Sequence, residues 1–195
     1  MSCRLSPTSF LGGAHGPWRV TAMTPVVGPA LPAVSAVTVG TELQAGGDPG
    51  FLLRGVASHL RYTTRSEREQ LVSKQEDLGR PGASHAALIP LRKSPAWWAL
   101  AQDERRQIMV DAARHFTIGL RYLPAIARKL YHSRDLGEEF DFITWFEFAP
   151  NDAVAFDELV AALRETEEWR YVDREVDIRL LRSPSAGHQP SGRRA

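Results

Sequence analysis

The chain contains a single cysteine, Cys3, in 195 residues. One thiol excludes an intrachain disulfide and a zinc cluster, and it leaves no thiolate to hold a metal in the folded part. Long apolar runs are also missing. No stretch approaches the ~20 residues needed to cross a bilayer. The opening residues MSCRLSPTSFLGGAHG lack the apolar core of a secretory signal, so a cytoplasmic location is expected and no membrane partner. Charge of one sign is absent as well, since 24 basic residues against 23 acidic ones leave +1. The arginines are scattered among acids, as in SEREQ and RETEE, with no basic stripe interleaved with aromatics. That pattern marks solvated helix faces and excludes a general nucleic-acid binder.

What is present is enough for a core: 43% of the residues are hydrophobic, which suits a compact domain at this length. We expect a single domain over 1–182. Within it, 24–50 reads as irregular because of Pro29, Pro32 and GGDPG, and 183–195, rich in Ser, Gly and Pro, reads as a disordered tail. Apolar patterning predicts strands over 18–23, 51–58, 85–91, 140–148 and 176–182. It predicts helices over 65–75, 102–120, 124–131 and 153–167. Strands interleaved with long helices, without a βαβ phosphate loop, indicate an antiparallel α+β fold.

The most informative run is HFTIGLRYLPAIARKLYHSRDLGEEFDFITWFEFAP, beginning at His115. Ile108, Ala112, His115 and Gly119 fall at steps of four, three and four, one stripe of a helix, while Asp103, Arg106, Gln107 and Arg114 fall mostly on other faces. An inward imidazole needs a partner: a carboxylate, a carbonyl, a water or a metal. Phase alone favours an ordinary core histidine. The other five histidines are weaker candidates: His15 and His188 lie in apparent tails, His59 and His85 near strand ends, and His132 at the end of an expected helix. Thirteen residues after His115 comes Arg128. On one unbroken helix the two would lie about 20 Å apart along the axis, but Gly119 and Pro124 punctuate the run and put them on different elements. By phase, Arg128 faces solvent beside Arg121 and His132, because Leu123, Ile126, Ala127 and Leu130 form the apolar side of its helix.

Four blocks in order, FLLRGVASHLRYTTRSEREQLVSKQEDLGRP, IPLRKSPAWWAL, the run from His115 and RETEEWRYVDREVDIRL, resemble the chlorite dismutases, specifically their short-chain branch. The likeness extends from Trp18 to about Leu181. It implies ferredoxin-like units forming a dimeric α+β barrel with the N-terminal unit reduced, hence a homodimer. It implies that His115 is the proximal ligand of a haem b iron and Arg128 the mobile distal arginine. By the same resemblance Glu168 accepts a hydrogen bond from the ligand's other ring nitrogen, which would make the imidazole a stronger donor. Helical phase points instead to Glu167, four past Leu163 on the stripe of Phe156, Leu159, Val160 and Leu163. Lys93 and the pair Trp97 and Trp98 match residues near the haem edge, and Tyr62 matches a propionate donor.

The implied activity is conversion of chlorite to chloride and dioxygen, through an oxo-iron and hypochlorite stage in which Arg128 retains the oxyanion. Coproheme decarboxylase is the alternative within haem chemistry; its members generally lack the distal arginine. A haem-binding or peroxidase-like stress protein without chlorite turnover is the alternative of a different functional class. The sequence departs from the family at Ala101, where a polar cap is usual, and at His59 and Leu60, where small polar or acidic residues are usual.

Overall fold

The computed structural model describes residues 6–41, 43, 49–57, 76–109 and 115–183, excepting the side chains of His115 and Phe116. The expected helix over 65–75, the residues His59, Leu60 and Tyr62, and the tail beyond Ser183 lie outside these. Eight strands form a closed antiparallel barrel in the order β1-β3-β2-β8-β5-β7-β6-β4. They are β1 (Thr8–Gly13), β2 (Trp18–Val27), β3 (Ala36–Thr41), β4 (Phe51–Ala57), β5 (His85–Lys93), β6 (Ala127–His132), β7 (Phe142–Phe148) and β8 (Val172–Arg182). Between them lie α1 (Pro95–Ala99), α2 (Gln102–Gln107), α3 (His115–Arg121) and α4 (Ala153–Arg164).

Side chains alternate along each strand, so the sheet has two chemically separate faces. Inside the barrel, Phe10, Val37, Phe51, Leu53, Leu88, Tyr131, Ile143, Trp145, Val176, Ile178 and Leu180 form one cluster. Phe10 stands edge-on to Tyr131 at 5.2 Å, and Trp18 edge-on to Trp145 at 5.2 Å. Each fully buried apolar side chain of this kind contributes roughly 1.5–3 kcal/mol. Outside, Ala87, Ile89, Phe146 and Phe148 meet Phe156, Leu159, Val160 and Leu163 of α4. The inward stripe of α4 is thus the one its sequence predicts.

Three expectations are corrected. The segment 24–50 is not irregular throughout: β2 runs on to Val27, and all of β3 lies within it, paired along β1 from Ala36↔Gly13 to Thr41↔Thr8. The breakers Pro29, Pro32 and GGDPG bracket the β-branched stretch AVTVGT without entering it. Arg128 is not on a helix over 124–131. Residues 122–126 turn, with a cis Leu123–Pro124 bond, and ARKLYH is strand β6, paired with β7 from Ala127↔Glu147 to His132↔Phe142. Apolar residues at 126, 127 and 130 suit a helix by spacing, but a six-residue ladder on β7 outweighs a single turn of helical propensity. His132 consequently ends a strand, edge-on to Phe142 at 5.2 Å, and not a helix. Finally, α4 stops at Arg164 and is followed by a 3-10 helix, Glu167–Tyr171, so β8 begins at Val172, four residues earlier than its pattern suggests.

Candidate functional site

The register builds the site row by row. Across β5, β7 and β6 on the outer face, Ala87, Phe146 and Arg128 share one row. Ile89, Thr144 and Leu130 share the next, and Leu91, Phe142 and His132 the third. Helix α4 covers the first row at Ala87 and Phe146. The other two rows are left partly open: Leu130 is 39% exposed, and Leu91, Phe142, Thr144 and His132 are half-buried. Three neighbouring strands span about 10 Å, so the open part is a largely apolar floor with Arg128 at one end.

At the other end stands a buried ion pair. Between Arg92 and Lys93 the ladder with β8 slips by one residue, Asp173 being the extra one, while Lys93 stays in phase with Ala87, Ile89 and Leu91 on the outer face. Lys93 is 3% exposed, and its Nζ lies 2.8 Å from Glu168 Oε1 and donates to the Glu168 carbonyl at 3.1 Å. The ammonium sits over the Trp97 ring at 4.7 Å and the Trp169 ring at 5.8 Å. Burial pushes the Lys93 pKa down, against the opposing pull of Glu168. Asp141 secures the strand end, accepting the Lys93 backbone N–H at 2.7 Å and the Trp98 indole N–H at 3.2 Å. Trp98 stacks on Phe142 and carries Arg134 at 3.8 Å on its ring.

Glu168 is buried and Glu167 exposed. Extrapolating the 3.6-residue period past Leu163 fails because the α-helix has already ended. Glu165 and Thr166 interrupt the helix, and the 3-10 turn that follows restarts the pattern with Glu168 inward.

Behind the pair, β8 presents Glu175, Asp177 and Arg179 to α4. Arg164 donates to Glu175 at 2.6 Å and to Asp177 at 2.9 Å, while Arg179 bridges Asp177 and Asp157. Glu175 is wholly buried, and burial raises its pKa.

Arg128 is held from two directions. Helix α3, which opens at His115, brings Gly119 against it: a Cβ added to Gly119 would lie 2.8 Å from one guanidinium nitrogen and 3.0 Å from the other. Gly119 therefore lies inside α3, where it had been expected to loosen the helix. The turn into β6 is tied from the far side, since Arg80 donates to the carbonyls of Pro124 at 3.2 Å and Ala125 at 2.8 Å. Next to Arg80, the Gly79 N–H donates to Glu147 at 2.6 Å. Burial lowers the Arg128 pKa; a guanidinium nevertheless stays charged at any working pH.

The structure thus groups Lys93, Trp97 and Glu168, and sets Arg128 three rows away on the same face, under the helix that begins with His115. Tyr62 lies outside the described residues. Asp141, Arg80 and the seat at Gly119 had no sequence signal as functional residues; the alternation Ala127, Lys129, Tyr131 against Arg128, Leu130, His132 was the available clue to a strand. Ala101 keeps half of a capping arrangement, its N–H donating to Glu104 at 2.6 Å. Among the described residues no group of three or more His, Cys, Asp or Glu could hold a bare metal ion, and no helix is long and apolar enough to cross a membrane.

Comparison with known proteins points one way. The chlorite dismutase family profile matches residues 30–182. A dimeric chlorite dismutase from Nitrobacter winogradskyi is 53% identical and superposes with a TM-score of 0.86, over 90% of this chain and 99% of that one. A chlorite dismutase from Candidatus Nitrospira defluvii is 31% identical with a TM-score of 0.55, over 76% of this chain and 57% of that one. The chlorite dismutase of Ideonella dechloratans is 32% identical over 126 residues, 61% of this chain. That match spans 40% of the Ideonella protein, so the chain covers less than half of that relative's length.

Proposed function

Because the chain belongs to the chlorite dismutase family, we propose that it is a haem b-dependent chlorite dismutase, converting chlorite to chloride and dioxygen. The observation that carries this reading is the outer-face floor: largely apolar, partly open, with a cation at one end and a buried carboxylate–ammonium pair at the other. Such a floor suits an apolar macrocycle with anionic edge groups. His115, at the start of α3, would hold the haem iron. Lys93 and Trp97 would border the haem edge, with Tyr62 as a propionate donor.

When bound, the haem supplies the redox chemistry that breaks the Cl–O bonds and joins the two oxygens. The protein residues do the rest. Lys93, desolvated against Trp97 and Trp169, pairs with Glu168 Oε1 at 2.8 Å, and the Glu168 carboxylate would accept the second ring N–H of His115 and fix its orientation. Arg128 would bind chlorite as an oxyanion and hold hypochlorite until the O–O bond forms, because a forked cation grips an oxyanion without surrendering a proton. The packing of α3 and α4 on the sheet excludes water from the covered row.

The assembly we infer is a homodimer of α+β barrels built from two ferredoxin-like units, the N-terminal one reduced. The dimeric state of the Nitrobacter relative supports this. An oxygen electrode tests the activity. Haem-loaded protein given chlorite should release one dioxygen per chlorite, and give far slower reaction with hydrogen peroxide and no decarboxylation of coproheme. Normal haem loading with no gas from chlorite would overturn the proposal.

A further inference from the structure

Gly119 occupies the middle of a seven-residue helix, a position where glycine weakens the element and alanine would strengthen it. Its backbone has no positive φ to explain the choice. What the position does have is a neighbour: the guanidinium of Arg128, with two nitrogens and the central carbon all within 3.1 Å of where a Cβ would stand. Arg128 comes from β6, on the opposite side of the contact, so strand and helix meet at this side chain. Gly119 also lies four residues, one helical turn, beyond His115.

We propose that Gly119 is a positioning residue: the bare backbone at this point of α3 forms the seat of the Arg128 guanidinium, and thereby sets where the cation stands relative to the anion it must hold. The group a methyl would strike is the far end of a flexible side chain. Substitution should therefore displace the arginine and leave the fold intact. Helix α3 then controls the cation's position from one turn past the proposed ligand, while Arg80 fixes the turn that delivers β6 from the other side.

For its chlorite readout the inference rests on the function proposed above. The experiment is a double-mutant cycle with Gly119→Ala, Arg128→Ala and the double variant. In haem-loaded protein, Gly119→Ala should raise KM for chlorite and increase severalfold the hypochlorite captured by a chemical trap per dioxygen released. The cyanide dissociation constant of the ferric protein should shift severalfold too. Haem loading should be unchanged and the thermal midpoint unchanged or higher. In the Arg128→Ala background, adding Gly119→Ala should move none of these readouts. Equal KM, trapping and cyanide affinity in wild type and Gly119→Ala would overturn the proposal, as would the same shifts in the absence of Arg128. If wild-type protein binds haem and cyanide but releases no gas from chlorite, the functional reading fails by itself, and the cyanide cycle still decides the seat.

Discussion

The inner and outer faces of one sheet differ in what holds them together. Within the barrel, Phe10, Trp18, Tyr131, Trp145 and their aliphatic neighbours fill the space with rings and branched chains at contact distance. Its buried carboxylate, Glu147, is met by the Trp145 indole N–H at 2.9 Å and the Gly79 N–H at 2.6 Å. The outer face is closely packed with apolar side chains under α4. Elsewhere it carries Lys93 against Glu168, Arg164 and Arg179 against Glu175 and Asp177, Arg128 beneath α3, and a floor left half open around Leu130. Since successive residues of a strand alternate between these environments, the same eight strands give a rigid packed interior and a reactive exterior. The interior supplies stability; the exterior places charge.

Substitutions on the two faces should separate these contributions. Lys93→Met leaves Glu168 buried without its ammonium and should cost about 3–5 kcal/mol of folding stability. In haem-loaded protein it should also alter the absorption spectrum, through Glu168 and the proposed ligand. Phe10→Ala, a large-to-small change inside the barrel, should cost a similar ~3–5 kcal/mol and leave that spectrum as it is. Denaturant unfolding with parallel spectra distinguishes them, and a spectral change of equal size in both variants would dissolve the division between faces.

The smallest effect belongs to Glu175. Burial raises its pKa above the ordinary carboxylate value of 4.5, so the folded protein holds this proton more tightly than the unfolded chain does. Its contribution to stability is full below about pH 4.5 and is lost as pH rises through the folded-state pKa. Glu175→Gln should flatten that part of the pH–stability curve, and an unchanged slope would show that Arg164 fully offsets the burial.

How far the sequence discloses this arrangement depends on the element. The inward stripe of α4 is legible because twelve residues of helix give the 3.6-residue period room to repeat. Strands β4, β5 and β7 are legible from their continuous apolar and aromatic content. β6 is not: six residues that satisfy both periods are decided by the ladder they join, which lies outside the segment. β3 is hidden by prolines and glycines that border it. At the site, Lys93 lies in phase with the outer-face residues of β5 and its burial comes from Glu168, Trp97 and Trp169 packing over it, while Glu168 turns inward in a 3-10 turn that has no periodic signature. The seat at Gly119 is a tertiary contact between a helix residue and a strand residue nine positions apart in sequence. In the sequence it looks like a helix breaker.

The central claim is that the outer face works through Arg128, and one measurement reaches it directly: the dioxygen released from chlorite before haem bleaching by Arg128→Ala, with and without a hypochlorite trap. The expected result is haem loading equal to wild type, turnover capacity lower by about tenfold to a hundredfold, and a substantial protection of the haem by the trap. Wild-type yield and wild-type bleaching in that variant would contradict the assignment of Arg128 as the clamp on the oxyanion.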